Sequence, residues 1–333
     1  MSRYIIKRLC LVFFVGFIIS VIMFSLYQVI PGGEEKQLEA LVDSSLRTKD
    51  PEAYREQYEA AQQKIGIGQS TPVKYVKWLR NLVTGDWGRT IQSQQPILQA
   101  IKAPMKNTIR MNILNLIFVF LITFPLGIYT AVKKYSKFDN AVQVFTSVGM
   151  SLPSFFIALI SILIFASFLG WLPTTGAGSP DHIRDEMSGF ARMLDTTKYL
   201  VLPVLVLTIS SLAGITRYVR GAMIDVLSQD FIRTARSKGV KEKVVIYSHA
   251  FRNAMIPVVT ILVGWFLGIF GGSTITETIF AYPGMGRTLF AALNAADYNF
   301  VMVLNVFYTI IGLLGNLLVD ILYTVVDPRV RLG

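Results

Sequence analysis

Cysteine and histidine are nearly absent from this sequence. Its 333 residues include one cysteine, Cys10, and two histidines, His182 and His249. A single cysteine excludes a disulfide within the chain. Neither histidine stands at a metal-ligand spacing from the cysteine or from the other histidine, so the sequence predicts no metal site.

Recognisable chemical machinery is missing as well. The sequence contains no G-x-x-x-x-G-K-[ST] loop that could cradle the phosphates of ATP. It shows no Ser-His-Asp, Cys-His or paired-carboxylate set that would support an intramembrane enzyme. Its apolar segments carry no ladder of acidic groups or histidines, which a proton-coupled carrier usually needs. The chain is therefore predicted to have no catalytic residues and to depend on a partner for energy.

Long apolar segments dominate what is present. The chain is 53% hydrophobic, and about 20 apolar residues suffice for a helix to cross a bilayer. Six blocks reach that length: about 9–30, 111–132, 141–170, 199–216, 254–280 and 300–326. The predicted fold is an all-α integral membrane protein with six transmembrane helices and an extracytoplasmic insertion between the first two. The first block is longer than a signal-peptide core, and no small-x-small cleavage site closes it, so we expect it to be retained.

Positive charge follows this topology. A soluble chain with a net charge of +11 would suggest nucleic acid as the partner. Here Lys and Arg are densest in 1–8, 133–139, 217–253 and 327–333, and such segments tend to face the cytoplasm. Both termini are therefore predicted to be cytoplasmic, and the partner implied by the composition is the lipid bilayer, not nucleic acid.

The longest of these basic segments, 217–253, predicts two short helices around Gly239. Ser228 is the expected N-cap of the first helix, which we expect to end at a left-handed Gly239. The second helix is predicted from about Lys241 to Met255. Its apolar side chains fall on one face at steps of three and four, namely Val244, Tyr247, Phe251 and Met255. An ordinary solvated basic loop is the alternative interpretation.

The same segment resembles the coupling loop of ABC importer permeases, most closely the peptide and nickel branch. Thr234-Ala235-Arg236 stands where the general motif has Glu-Ala-Ala, and the spacing to Gly239 is kept. His249-Ala250-Phe251-Arg252 replaces the later Ile-x-Leu-Pro, a departure typical of peptide permeases. The resemblance implies that ATPase subunits are coupled through Asp230, Phe231, Arg233, Thr234, Ala235, Arg236, Lys238 and Gly239.

Other segments resemble the same family. They include Gly85-Asp86-Trp87-Gly88-Arg89, the Ser151-Leu152-Pro153-Ser154-Phe155 element, and the run from Glu277-Thr278-Ile279-Phe280 to Pro283-Gly284-Met285-Gly286-Arg287. The resemblance makes Pro153, Glu277 and Gly284 candidates for a path or gate. Close helix packing is the alternative for Pro153, and for Glu277 the alternative is a pairing with Arg287 or a role in orienting the turn.

The resemblance implies the type I ABC importer permease fold and a B-type permease subunit of an oligopeptide or dipeptide importer in a bacterial or archaeal cell membrane. The implied partners are a second permease, two ATPase subunits that hold ATP-Mg, an external binding protein and a peptide substrate, with no cofactor on this chain. The expected divisions are a first helix 1–30, an extracytoplasmic region 31–107, a permease core 108–327 containing the coupling loop 217–253, and a cytoplasmic tail 328–333. Within the second region, 34–64 is expected to form a small outer cap that contacts the binding protein, or else a loosely packed spacer. The alternative function is a self-contained secondary carrier or channel for a small solute.

Overall fold

The computed structural model describes residues 2–30, 32–43 and 45–326, and these contain helices but no β-strand. The predicted tail 328–333 lies outside the described residues. The chain divides into two compact units. Of the described residues, the first unit joins the segment up to Asn107 to Gly284–Leu318, and the second unit contains Thr108–Pro283 and 319–326.

The N-terminal part of the chain contains one long helix and five shorter ones. They are α1 (Ser2–Val29), α2 (Gly33–Leu41), α3 (Leu46–Lys49), α4 (Pro51–Ile65), α5 (Thr71–Thr84) and α6 (Ile97–Ala100). Helix α4 begins at Pro51, as predicted, and the carboxylate of Asp50 accepts a hydrogen bond from the amide of Ala53 at 3.1 Å. It ends at Gly66, whose φ of 82° is left-handed.

Residues 34–65 are packed rather than extended. Leu38 and Val42 meet Ala61 in a small apolar core, and Tyr54 and Tyr58 pack against it from α4. We call α2, α3 and α4 the outer cap. Its core favours a folded cap over a loosely packed spacer.

A buried carboxylate fixes the loop before α6. Asp297 accepts hydrogen bonds from the hydroxyl of Thr90 at 2.8 Å and the amide of Ile91 at 2.7 Å. The amide of Phe300 donates to its other oxygen at 3.2 Å. All of these residues belong to the first unit, so Asp297 ties two distant stretches of that unit together.

The middle of the chain supplies the helices of the second unit. They are α7 (Lys102–Val132), α8 (Lys137–Ser151), α9 (Ser154–Ser161, continued by a π-helix over Ile162–Phe168), α10 (Asp181–Asp185), α11 (Gly189–Leu227), α12 (Asp230–Ser237), α13 (Glu242–Val244, continued by a π-helix over Val245–Phe251), α14 (Arg252–Gly268) and α15 (Thr274–Ile279). Two further helices close the described chain: α16 (Met285–Asn294) and α17 (Tyr298–Val326).

Four stretches are helical, long and apolar enough to cross a membrane: Ile6–Val29, Ile97–Val132, Gly189–Leu227 and Tyr298–Leu318. Helices α8 and α9 pass the same test together but are bent by 103° at the break that contains Pro153. The described helices therefore support four spans, or five if the bent pair counts as one. The predicted block 254–280 is not one helix, because α14 stops at Gly268, and a sixth span there stays a prediction.

Candidate functional site

Helix α12 is held to the second unit by one buried side chain. Ile232 is 0% exposed and lies in an apolar core with Met223 and Val226 from α11 and with Val245 and Ala250 from the following π-helix. This core fixes the position of α12 at the end of α11. A displacement of α12 would therefore act directly on the end of α11.

The remaining surface of α12 faces outward. Among the residues expected to couple to a partner, Ala235 is half-buried and the others are exposed: Asp230, Phe231, Arg233, Thr234, Arg236, Lys238 and Gly239. Three cations and a phenyl ring lie beside small and acidic side chains on this surface. Such a surface suits contact with a folded protein, in which aromatic and Arg side chains contribute most.

The start of α12 differs from the prediction. Ser228 is not its N-cap, because the Ser228 hydroxyl turns back and donates to the carbonyl of Asp225 at 2.7 Å. Gln229 occupies the N-cap position in an extended conformation, without a capping bond from its side chain. The expected Ser228 cap is therefore wrong by one residue, since Ser228 still has helical backbone angles at the end of α11.

The end of α12 agrees with the prediction. Gly239 has a φ of 76°. Its amide donates to the carbonyl of Arg236 at 3.0 Å, and the amide of Val240 donates to the carbonyl of Ala235 at 3.2 Å. An added Cβ at Gly239 would meet no atom within 4 Å. Glycine is therefore required here for its backbone conformation and not for space.

An ion pair joins α12 to the start of α13. Arg236 donates from Nε to Oε2 of Glu242 at 3.1 Å and from Nη2 to Oε1 at 2.6 Å. These hydrogen bonds to the guanidinium lower the pKa of the Glu242 carboxyl. Both side chains are about half exposed, so water screens the pair and its contribution to stability is small, roughly 0–1 kcal/mol.

The second predicted helix has a different end and a different buried face. It does not stop at Met255, because the π-helix runs directly into α14. Val244 and Tyr247 are exposed, while Phe251 and Met255 pack against the core. A π-helix has a wider turn than an α-helix, so side chains expected on one face are separated here.

Sequence reasoning missed an ion pair between α8 and α11. Asp139 is 0% exposed, and Arg220 donates to it from Nε to Oδ1 and from Nη2 to Oδ2, both at 2.7 Å. The amide of Tyr135 also donates to Oδ2 of Asp139 at 2.8 Å. Paired, parallel bonds of this kind set both distance and orientation. The pair thus fixes the start of α8 against α11.

A cleft of about 520 Å³ opens beside the bend between α8 and α9. Its walls come from α8, α9, α11 and α14 and from the break between α8 and α9. They combine glycines and serines with aliphatic side chains and two aromatic rings: Gly149, Met150, Leu152, Ser154, Ser210, Ser211, Gly214, Ile215, Tyr218, Val258 and Trp265. Pro153 does not line the cleft itself but lies between two residues that do. It is the N-cap of α9, and because it fixes its own φ it suits the start of a helix.

The other two candidate path residues lie elsewhere. Glu277 is 0% exposed in α15, does not line the cleft, and accepts a hydrogen bond from the hydroxyl of Thr108 at 2.9 Å. Its backbone carbonyl accepts from the amide of Tyr282 at 2.8 Å. Gly284 is the N-cap of α16, with an extended backbone.

Asn112 on α7 is a second residue that sequence reasoning missed. Its Nδ2 lies 2.9 Å from the carbonyl oxygens of Ile269 and Gly271 and 3.3 Å from that of Gly268. These carbonyls belong to the break between α14 and α15, where the helix no longer supplies its own hydrogen bonds. The carbonyl of Gly268 also accepts from the amide of Gly271 at 3.0 Å, so the two hydrogens of the Asn112 amide serve the carbonyls of Ile269 and Gly271.

Comparisons with known proteins agree on the kind of protein this is. Residues 123–332 match the family described as binding-protein-dependent transport system inner membrane component, and residues 1–101 match the N-terminal part of such membrane components. The oligopeptide transport system permease protein AppB of Bacillus subtilis strain 168 is 34% identical over 99% of this chain and 100% of its own length. The dipeptide transport system permease protein DppB of Alkalihalophilus pseudofirmus is also 34% identical over 99% of this chain and 100% of its own.

One further relative and one solved structure are also similar to this chain. The glutathione transport system permease protein GsiC of Escherichia coli K12 is 32% identical over 99% of both chains. A chain of the MetNI methionine ABC transporter in inward-facing conformations has the same fold, with a TM-score of 0.53 and 16% identity over 70% of this chain and 99% of that one. The family match spans more than half of the sequence. This multi-pass membrane protein therefore belongs to the family of inner membrane components of binding-protein-dependent transport systems, and it is an ABC importer permease.

Proposed function

We propose that this chain is one of two permease subunits of an ATP-driven importer for peptides. The cargo is inferred from the relatives, whose names specify oligopeptides, dipeptides and glutathione. All three substrates are peptides or contain peptide bonds. The mechanism is supported chiefly by one observation: α12 exposes a polar surface while its Ile232 side chain anchors it at the end of α11.

The mechanism requires a partner subunit to bind α12. ATP-Mg would be held by two separate ATPase subunits, and their closure on nucleotide would move α12. A contact shifts the balance between inward-open and outward-open states only if it is stronger in one of them. Converting a 1:99 population into 99:1 needs about 5.5 kcal/mol of such a difference. A surface with Phe231, Arg233 and Arg236 is chemically suited to supply it together with a partner.

The other components follow from the same proposal. A second permease of the same fold would complete the translocation path, and an external binding protein would deliver the peptide. Both termini would lie in the cytoplasm, and the outer cap would lie on the opposite side of the membrane, where a binding protein docks. The cleft beside Pro153 is the proposed contribution of this chain to the path, with Glu277 and Gly284 as supporting gate positions.

Reconstitution distinguishes this function from that of a self-contained carrier or channel. The purified chain alone and the assembled transporter, with its second permease, ATPases and binding protein, are placed in liposomes with labelled peptide outside. We expect accumulation only with the full assembly and with ATP inside. Uphill or leak-type uptake by the chain alone would favour the carrier or the channel.

A further inference from the structure

The Asp139–Arg220 pair joins α8 to α11, two helices of the second unit that both line the cleft. Arg220 lies two turns before the end of α11, and α12 starts a few residues after that end. Asp139 lies in the first turn of α8, and the far end of α8 reaches the cleft through Gly149 and Met150. At about 1.5 Å per residue, α8 spans about 22 Å. It is a rigid rod with the ion pair near one end and the cleft at the other.

The connection from α12 to this rod is continuous. Ile232 of α12 packs in the same core as Met223 and Val226 of α11. Met223 is one turn from Arg220, and the Arg220 side chain reaches Asp139 with two hydrogen bonds of 2.7 Å. Each step is a direct contact or a helix segment, and coupling between sites can travel through such a contiguous set.

The ion pair differs from the apolar contacts around it. A bidentate Arg–carboxylate pair fixes both the distance and the angle between the two helices that it joins. A buried ion pair is also weak evidence for stability, because apolar residues of similar volume often stabilise a fold equally well. A positional role explains a carboxylate that is fully buried at this junction better than a purely stabilising one.

We propose that the Asp139–Arg220 pair is a positioning element that transmits displacement of α12 to α8 and thereby to the cleft. This inference rests on the proposed function, in which partner ATPases move α12. It assigns α8 the role of a lever held near its start by this salt bridge, with a second α11–α8 bond from Nη2 of Arg217 to the Ser147 hydroxyl at 3.0 Å. Loss of the pair should leave ATP hydrolysis in place and disconnect it from the cleft wall that α8 contributes, while the wall that α11 contributes stays joined to α12 through α11 itself.

The test removes the Asp139–Arg220 ion pair while roughly keeping the volume of the two side chains. A Cys10→Ser background eliminates the exposed native thiol, and Met150→Cys places a reporter in the cleft, where the native side chain is 56% exposed. In the assembled transporter, the labelling rate of this thiol is measured without nucleotide and with nucleotide trapped by vanadate. Peptide uptake per ATP hydrolysed is measured in parallel, with the native Met150.

Two variants and a matched control are compared. Asp139→Leu with Arg220→Met replaces both charges by apolar groups, and Arg220→Lys retains the charge but loses the paired geometry. The control is Arg192→Met with Asp185→Leu, which removes an ion pair with an N–O distance of 3.9 Å at the opposite end of α11. We expect the double variant to lose the nucleotide response of the reporter and to lower uptake per ATP about tenfold, a typical size for coupling between sites. The lysine variant should be intermediate and the control unchanged.

The outcomes separate the two ideas. Absence of ATP-dependent uptake with the native pair would overturn the proposed function, and the inference with it. A reporter that ignores nucleotide although uptake with the native pair requires ATP would overturn the inference alone. A native-pair response that persists in the double variant, with normal uptake per ATP, would overturn the inference alone. If the double variant fails to assemble, Arg220→Lys decides by the same two readouts, because a merely structural pair would change assembly but not uptake per ATP in the transporter that does assemble.

Discussion

Substitution of Gly239 by valine should uncouple peptide transport from ATP hydrolysis. Gly239 ends α12 with a φ of 76°, a conformation that costs an ordinary L-residue about 1–2 kcal/mol and a β-branched one more. No atom lies within 4 Å of the added Cβ, so the penalty is the backbone term alone. A penalty of this size lowers the population of the native helix end, relative to conformations in which α12 is frayed there, roughly 5–30-fold. The hydrogen bonds from residues 239 and 240 to the last turn of α12 should be lost with it.

The assay measures uptake of labelled peptide and release of phosphate in the same proteoliposomes. We expect uptake per ATP to fall in Gly239→Val while ATP hydrolysis continues. Gly239→Asn should retain most coupling, because asparagine tolerates the left-handed region. Gly221→Val is the matched control, since Gly221 has equal open space but lies inside α11. Equal uptake per ATP in Gly239→Val, Gly221→Val and the native chain would refute the reasoning.

Three other predictions address different parts of the chain. Asn112→Leu should lower the melting temperature of the purified protein, because loss of the amide leaves carbonyls at the end of α14 unsatisfied at a cost of about 1–3 kcal/mol. Asn305→Leu is the control and should have a smaller effect, because the Asn305 amide bonds a carbonyl within its own helix. The ion pair with Arg236 lowers the pKa of Glu242 from 4.5, so the small stabilisation from the pair should be complete at neutral pH and disappear as the pH falls through the lowered pKa. Amide hydrogen exchange in α12 should therefore become faster over this acidic pH range in the native chain and not in Glu242→Gln. Glu56→Cys on α4 should react with an impermeant thiol reagent from outside the cell only, and labelling from the cytoplasm alone would invert the topology.

Local signals in the sequence were enough to predict several elements. Pro51 marks the start of α4 because its ring fixes φ and its missing N–H is not needed there. Gly239 marks the end of α12 because left-handed stops favour glycine. Ser228 misled the prediction, because a serine at a helix end can bond backward to its own helix as readily as forward to the next.

Long-range pairings left no such signal. Asp139 follows Ser136 at the spacing of a helix start, and this cap does form, yet no local pattern indicates that Arg220 is its partner. Asn112 is different, because an amide in an apolar block is costly in lipid, and Asn112 and Asn115, the two in block 111–132, could have been singled out on that ground. The acceptors of Asn112 remained hidden, since a run predicted as continuous helix has no free carbonyls.

The single buried contact of α12 has a consequence for how such transporters can be diversified. Within this helix Ile232 is the only buried residue and Ala235 is half-buried against the same core, so the fold constrains these two positions and leaves the exposed side chains open to exchange. If the proposed function holds, this exposed face can be changed to recognise a different ATPase without changes to the membrane core. Exchanging the exposed residues of α12 between two paralogues, with the isoleucine retained, should thus change which ATPase each permease binds.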